Sequence, residues 1–322
     1  MLNKVITALR ILRDSPAPWS ALRLRWRYNT MIMRLAVAKR GWFTYHAWPQ
    51  TAFLVSADDS ATFFIYTCGH PDTAELSALS TWIESGDVCL DLGANIGFFT
   101  AVMARRVGPE GRVVTVEGAP KTFENLLLTI KRLGLGNVRP VHACVGSHSG
   151  TSTFYIALNP DDSALQGVQA DTSRPDDFQA VTVPMQRADV LVMATAPNRP
   201  VALVKMDIEG SELAALEGCH DLIQAHDPPL FDVEINPEAL ARNGGSVARL
   251  LAFFPPDRFD LYFISYSHGE HVWPRNRMIW LPDRTGLGFP NLGNLIAVPR
   301  IGRFATRKAR LMASAAIAET SL

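Results

Sequence analysis

A chain of 322 residues, 48% of them hydrophobic, has room for one large domain with an appendage and enough apolar material for a sizeable core. Its 31 basic and 31 acidic residues cancel to zero net charge, so bulk electrostatics gives no reason to expect a nucleic-acid partner. No run of about 18 apolar residues occurs, which predicts no membrane-spanning helix.

In chain order, the first segment, MLNKVITALRILRD, spaces Leu2, Val5, Ile6, Leu9 and Leu12 along one helical face with basic residues between them. It lacks the continuous apolar centre and small-residue cleavage site of a secretory signal, so a cytoplasmic chain is expected. From Lys4 to Arg40 this end is strongly basic, with Asp14 its single acid. A second basic cluster, Arg300, Arg303, Arg307, Lys308 and Arg310, lies near the other end. Packing on the domain is the plainer fate of such segments, and peripheral contact with an anionic membrane the sharper one. The aromatic stretches WFTYHAW and TFFIYTC suggest strands, so residues 1–85 are predicted to form an appendage of helices and a hairpin.

From residue 86 strands and helices alternate, the pattern of an α/β domain. Strands are predicted at 88–92, 112–117, 138–145, 201–207, 230–235, 260–265 and 294–298, with helices near 98–107, 122–133, 211–223 and 237–254, the last interrupted at Gly244-Gly245. Residues 150–187 break the rhythm with two strand-like stretches around a polar loop, an insertion. The expected domain runs from 86 to 300, followed by a basic tail over 301–322. Cys68, Cys89, Cys144 and Cys219 lack metal or redox spacing and read as reduced core residues.

Ligands of open α/β sheets bind beyond the carboxyl ends of the strands. That rule selects Asp91 to Gly97, Glu117, Ala143 to Gly146, Asp207 to Gly210, and Glu234 with Asn236. In DLGANIGFFT, Asn95 and Phe98 occupy the places where a dinucleotide fingerprint needs its second and third glycines. An acid beside the turn would also repel a diphosphate. Glu117 ends the second strand, where a carboxylate can accept both hydroxyls of a ribose. Together these features call for an adenosyl ligand with a cationic tail, and S-adenosylmethionine has that constitution.

DLGANIGFFT and KMDIEGSELAALEG (residues 205–218) resemble the D-x-G-A-N-x-G and K-x-D-x-E-G-x-E signatures of the FkbM family of class I methyltransferases. The resemblance covers about residues 86–240. It implies a Rossmann-like fold with a seven-stranded, mostly parallel, doubly wound sheet. It also implies that Asp91, Gly93, Asn95 and Gly97 surround the methionine portion of S-adenosylmethionine, that Glu117 holds the ribose, and that Ala143 and Val145 flank the adenine. Two departures stand out: Glu117-Gly118-Ala119-Pro120 replaces the Glu-Pro common in the family, and Gln186-Arg187-Ala188-Asp189 replaces a T-L-D-D-like segment.

Methyl transfer to a hydroxyl requires alignment and a proton acceptor. Asp207 is the first choice for that acceptor and Glu209 the second, while Glu212 suits the first turn of the following helix as a capping acid. Glu234 and Asn236 are expected to contact the substrate. With Asp207 they could also hold Mg²⁺, but a metal-free site is preferred. Lys205 is expected to pair with one of these acids. His142 reads as a satisfied core residue, His220 and His226 as surface residues, and His268 with His271 as a loop pair.

The expected activity is S-adenosylmethionine-dependent O-methylation of a sugar, glycolipid or secondary metabolite. An NAD-dependent oxidoreductase and a non-catalytic methyltransferase-like module are the alternatives. Residues 160–178 read as part of a lid, whose deletion should impair turnover more than donor binding.

Overall fold

The structure, a computed structural model, describes residues 43–48, 51–55, 73–157, 178–265, 278–281 and 293–314. The N-terminal basic helix, TFFIYTC with Cys68, most of the polar loop of the insertion, and His268 with His271 lie outside the described residues. Strands β1 (Phe43–Trp48) and β2 (Thr51–Val55) form an antiparallel hairpin, described here by itself.

The larger unit begins with helix α1 (Thr73–Trp82) and continues β3 (Val88–Leu92), α2 (Phe98–Val107), β4 (Arg112–Glu117), α3 (Pro120–Leu133) and β5 (Val138–His142). Short β6 (Cys144–Val145), β7 (Gly150–Ala157) and β8 (Phe178–Gln186) form a separate three-stranded sheet. Next come α4 (Ala188–Thr195), β9 (Val201–Met206), α5 (Glu212–Glu217), α6 (His220–Gln224), β10 (Leu230–Ile235), α7 (Pro237–Arg242) and α8 (Val247–Leu251). The chain then adds β11 (Phe259–Ser265), β12 (Met278–Trp280), β13 (Gly293–Pro299), a 3-10 turn (Arg303–Arg307) and α9 (Lys308–Ser314).

Among the described residues the main sheet has eight strands in the order β12-β11-β13-β10-β9-β3-β4-β5. The five from β10 to β5 are parallel, and β13 runs antiparallel between β10 and β11. The seven expected strands are all present, and the eighth is the three-residue edge strand β12. β3 and β9 are buried throughout, as central parallel strands covered on both faces must be.

Period-two alternation divides the two faces. Leu90, Leu92, Val114, Val116, Val204, Met206, Phe231 and Val233 feed the main apolar core. The opposite face carries an in-register polar row, Thr115–Asp91–Lys205–Asp232, across β4, β3, β9 and β10.

Several predicted boundaries shift for local reasons. The strand expected over 138–145 leaves the main sheet at Ala143, and Cys144 and Val145 pair instead with Met185 and Gln186 of the insertion. The helix expected over 211–223 breaks after Glu217, where Gly218 lies against the Gly146 backbone. The helix expected over 237–254 is interrupted at Gly244-Gly245 as expected, and the Ser246 side chain caps α8 by accepting from the Arg249 amide. Helix α4 was not predicted, because ADVLVMAT is too uniformly apolar to show a helical stripe.

Candidate active site

The loop joining β3 to α2 hangs over the end of β4. Gly93 and Ala94 both donate their amides to the Val116 carbonyl, at 3.0 and 2.9 Å. Gly93 has φ 84°, and a Cβ there would lie 1.8 Å from the Asp207 carbonyl oxygen. Gly97 has φ 90° and packs against Leu126. These two glycines therefore set how closely this loop meets β9 and α3. Asn95, the exposed tip of the loop, adopts φ 50° and donates its amide to Glu117 Oε2 at 2.8 Å. Asp91 lies beneath, 1% exposed, and its Oδ2 accepts from the Thr100 hydroxyl at 2.5 Å. Burial raises the Asp91 carboxyl above its ordinary range, opposed by Lys205 and by the Thr100 hydrogen bond.

Glu117 is held at both ends of its carboxylate. Oε1 accepts from the Ala119 amide at 2.8 Å while Oε2 takes the Asn95 amide. The side chain is 9% exposed, and its burial raises the carboxyl against the pull of these amides. The Gly118 amide is a third backbone partner, and a carboxylate has about four acceptor directions, so acceptor capacity remains after the three amides are counted. The departure Gly118-Ala119 is thus structural, since it brings an amide back onto the acid. Ala143 and Val145 lie next in line and are buried; the Ala143 amide donates to the Glu117 carbonyl at 3.2 Å. His142 is half-buried, with Nε2 3.1 Å from the Gly118 carbonyl and its ring stacked on Phe123. His220 and His226 are exposed.

The second half of the site lies where β9 ends. The Asp207 amide donates to the Leu92 carbonyl at 3.0 Å, which fixes Asp207 beside the β3–α2 loop, and its side chain is 41% exposed. The next residues, IEG, turn sharply, with Glu209 at φ 55°. Glu212 makes this turn possible: its Oε1 accepts from the amides of Ile208 and Gly210, at 3.2 and 3.1 Å. Capping is thus its role, as the first-turn position suggested. Asn236, expected to contact substrate, is likewise used as a cap, its Oδ1 accepting from the Ala239 amide at 3.1 Å.

Glu209, Glu212 and Glu234 crowd around Asp207. Burial, then Asp207 and Glu212, push the Glu209 carboxyl up to about 8, with Arg242 opposing. Burial lifts Glu212 to about 7 against three backbone amides. Glu234 stands well above the ordinary carboxylate range, through burial first and then Asp207, Glu209 and Glu212. Its Oε2 is buried with no hydrogen-bond partner among the described residues. Glu209, pushed up to about 8, therefore carries a proton at neutral pH, and Asp207 is the exposed acid of the group. No three His, Cys, Asp or Glu side chains among the described residues are placed to hold a metal ion.

Three contributors escaped the sequence reading. Glu75 of α1, 1% exposed, pairs with Lys205 at 3.6 Å. Thr100 joins Asp91 to Thr115, and Asn294 of β13 donates to Asp232 Oδ1 at 2.8 Å. The signal available for this group was Asp232 inside the apolar strand LFDVEI, since a buried charge in a central strand demands a partner. Asp189 is also structural: it pairs with Arg187 and accepts the amides of Asp221 and Leu222, tying α4 to the start of α6.

A mostly parallel sheet with one reversed strand beside β10, and with acids at the ends of β3, β4 and β9, defines a Rossmann-like class I methyltransferase fold. The family model for the methyltransferase FkbM domain matches residues 91–262, more than half of the chain. The chain belongs to the FkbM family of methyltransferases.

Among similar proteins, the isoaspartate O-methyltransferase of Methanococcus maripaludis is 37% identical over 43% of this chain and 50% of its own length. The hexuronic acid methyltransferase AglP of Haloferax volcanii is 29% identical over 44% of this chain and 54% of its own length. The methyltransferase sdnD of Sordaria araneosa is 25% identical over 56% of this chain and 81% of its own. The chain spans half or less of the length of the isoaspartate methyltransferases it matches. Among solved structures, an FkbM methyltransferase from Methylobacillus flagellatus KT aligns over 74% of this chain and 53% of its own, with 15% identity and a TM-score of 0.39.

Proposed function

We propose that this chain is an S-adenosylmethionine-dependent methyltransferase acting on a hydroxyl of a sugar, glycolipid or secondary metabolite. The observation that carries the reading is Glu117, fixed at the end of β4 by the amides of Asn95, Ala119 and Gly118 with acceptor capacity to spare. A ribose diol offers two donors to such a carboxylate. The acids near the loop suit a cationic group far better than a diphosphate, and the fit of the donor set is chemical: Glu117 for the ribose, Asn95 and the backbone of the loop for the methionine end, Ala143 and Val145 for the adenine. S-adenosylmethionine supplies a methyl group already activated by its sulfonium.

The protein's own task is then alignment and proton handling. Asp207, at the edge of the donor loop and 41% exposed, is the group we assign to accept the acceptor's proton. Glu209, pushed up to about 8, is available as a hydrogen-bond donor at neutral pH rather than as a proton acceptor, and Glu234 is the group we assign to the acceptor side. An oxygen acceptor accords with the name of the isoaspartate O-methyltransferase among the similar proteins, and a sugar-derived acceptor with that of the hexuronic acid methyltransferase.

The test is to incubate the purified chain and S-adenosylmethionine carrying a labelled methyl group with fractionated extract of the source cell, then identify the labelled product. An O-methylated carbohydrate or metabolite is the expected result. Label on nitrogen, or S-adenosylmethionine that does not bind, would contradict it.

A further inference from the structure

Lys205 is an unusual residue for the middle of a sheet, 3% exposed within a strand buried along its whole length. Its neighbours explain how the charge survives. Nζ lies 3.3 Å from Asp207 Oδ2, 3.6 Å from Glu75 Oε1 and 4.4 Å from the centre of the Phe99 ring. In register beside it lie Asp91 of β3 and Asp232 of β10. The groups facing the ammonium are thus Glu75 from α1, Asp91 from β3, Asp207 beyond its own strand, Asp232 from β10, and the ring of Phe99 from α2. Burial alone would depress the ammonium, but Asp207, Glu75, Asp232 and Asp91 outweigh it and hold it well above the ordinary lysine range. Of these acids Asp207 reaches solvent, with 41% side-chain exposure, whereas Glu75, Asp91 and Asp232 are sealed.

The geometry points to Lys205 as a positioning residue: anchored underneath by Glu75 and Phe99, its ammonium holds the Asp207 carboxylate ionised and aimed at the acceptor beside the donor loop. This rests on the reading of Asp207 as proton acceptor. The arrangement links elements that a local motif would not connect. Glu75, outside the matched family region, fixes the lysine; the lysine fixes the acid; and the Asp207 backbone, closed against Gly93, fixes the acid's distance from the donor loop. A methionine at 205 would fill the same space but leave Asp207 among Glu209, Glu212 and Glu234 with its bridging cation removed. An arginine would retain the charge.

Carboxyl-carbon NMR of aspartate-labelled protein tests this without any acceptor. The Asp207 signal is identified by its loss in Asp207→Asn, and its titration is followed in wild type, Lys205→Met and Lys205→Arg. In Lys205→Met the signal should titrate at least about one pH unit higher, equivalent to a tenfold weaker hold on the ionised form. Lys205→Arg should restore most of the wild-type behaviour, and affinity for S-adenosylmethionine by calorimetry should change less than about threefold in either variant. Should Lys205→Met not fold, Lys205→Gln carries the same expectation.

An Asp207 signal that titrates at an unchanged pH without the lysine would overturn the proposal, as would failure of Lys205→Arg to restore it. Absence of S-adenosylmethionine binding by the wild type would instead sink the functional reading and leave the Asp207 titration measurable.

Discussion

Glu209 concentrates the tension of the site in one residue. Its left-handed φ of 55° costs a non-glycine residue about 1–2 kcal/mol. Its carboxyl titrates at about 8, against 4.5 for the ordinary group. Between those values the folded chain binds a proton that the unfolded chain has released. The stability this proton contributes is full below pH 4.5 and is lost as pH rises through about 8. Glu209→Gln should therefore flatten the decline of stability between pH 6 and 8 and raise the melting temperature at pH 8, by roughly 1–2 kcal/mol in stability. Calorimetric melting at both pH values checks this, and an unchanged slope would show that Glu209 is not protonated in the fold. Asp207→Asn is expected to lower turnover at least a hundredfold while S-adenosylmethionine affinity stays within a few-fold, the split typical of a lost proton acceptor. Full turnover in Asp207→Asn would remove it from that role.

The elements that carry the site are a strand-to-helix loop and a strand end pressed together. Gly93→Ala would place a methyl group 1.8 Å from the Asp207 carbonyl oxygen, at φ 84°. Both effects oppose it, so a loss of roughly 2–4 kcal/mol is expected together with weakened donor binding, measured by urea unfolding and calorimetry. At this scale the sequence was most informative where physical demands are local. β3, β4, β9 and β10 read plainly because central parallel strands are short, uniformly apolar and followed by turn residues. Asp91, Glu117 and Asp207 stood out because strand ends select them.

The helix break at Gly218 did not read as plainly, since it depends on backbone packing against the distant Gly146; the one at Gly244-Gly245 was legible as a pair of glycines. The duties of Asn236 and Asp189 as caps depend on which free amides they meet, which spacing alone does not reveal. Glu75 was invisible for a related reason: it lies in a helix assigned to the appendage and is recognised only through Lys205.

At the scale of the whole molecule, the basic cluster near the C-terminal end is tied into the domain. Arg300 and Lys308 pair with Asp260, Arg303 with Asp227, Arg310 with Glu84, and Arg307 with Glu84 and Asp87. Most of these are surface pairs and are worth little singly. Arg307 with Asp87 is different, with the two side chains 11% and 10% exposed and joined by two hydrogen bonds of 2.6 and 3.0 Å. Arg307 also donates to the Trp82 carbonyl, so it joins the 3-10 turn to the end of α1 and the approach to β3. Arg307→Ala should destabilise the protein by about 3 kcal/mol and lower its melting temperature by roughly 6–10 °C, with S-adenosylmethionine affinity little changed. A loss below about 0.5 kcal/mol would mean the clamp contributes nothing.

The central claim is that the end of β4 is built to hold the ribose of a methyl donor, and calorimetric titration of S-adenosylmethionine into wild type and Glu117→Ala tests it most directly. Wild type should bind one equivalent, and Glu117→Ala at least tenfold more weakly at an unchanged fold, judged by its melting curve. Equal affinity in the two proteins, or a wild type that binds no S-adenosylmethionine, would contradict it.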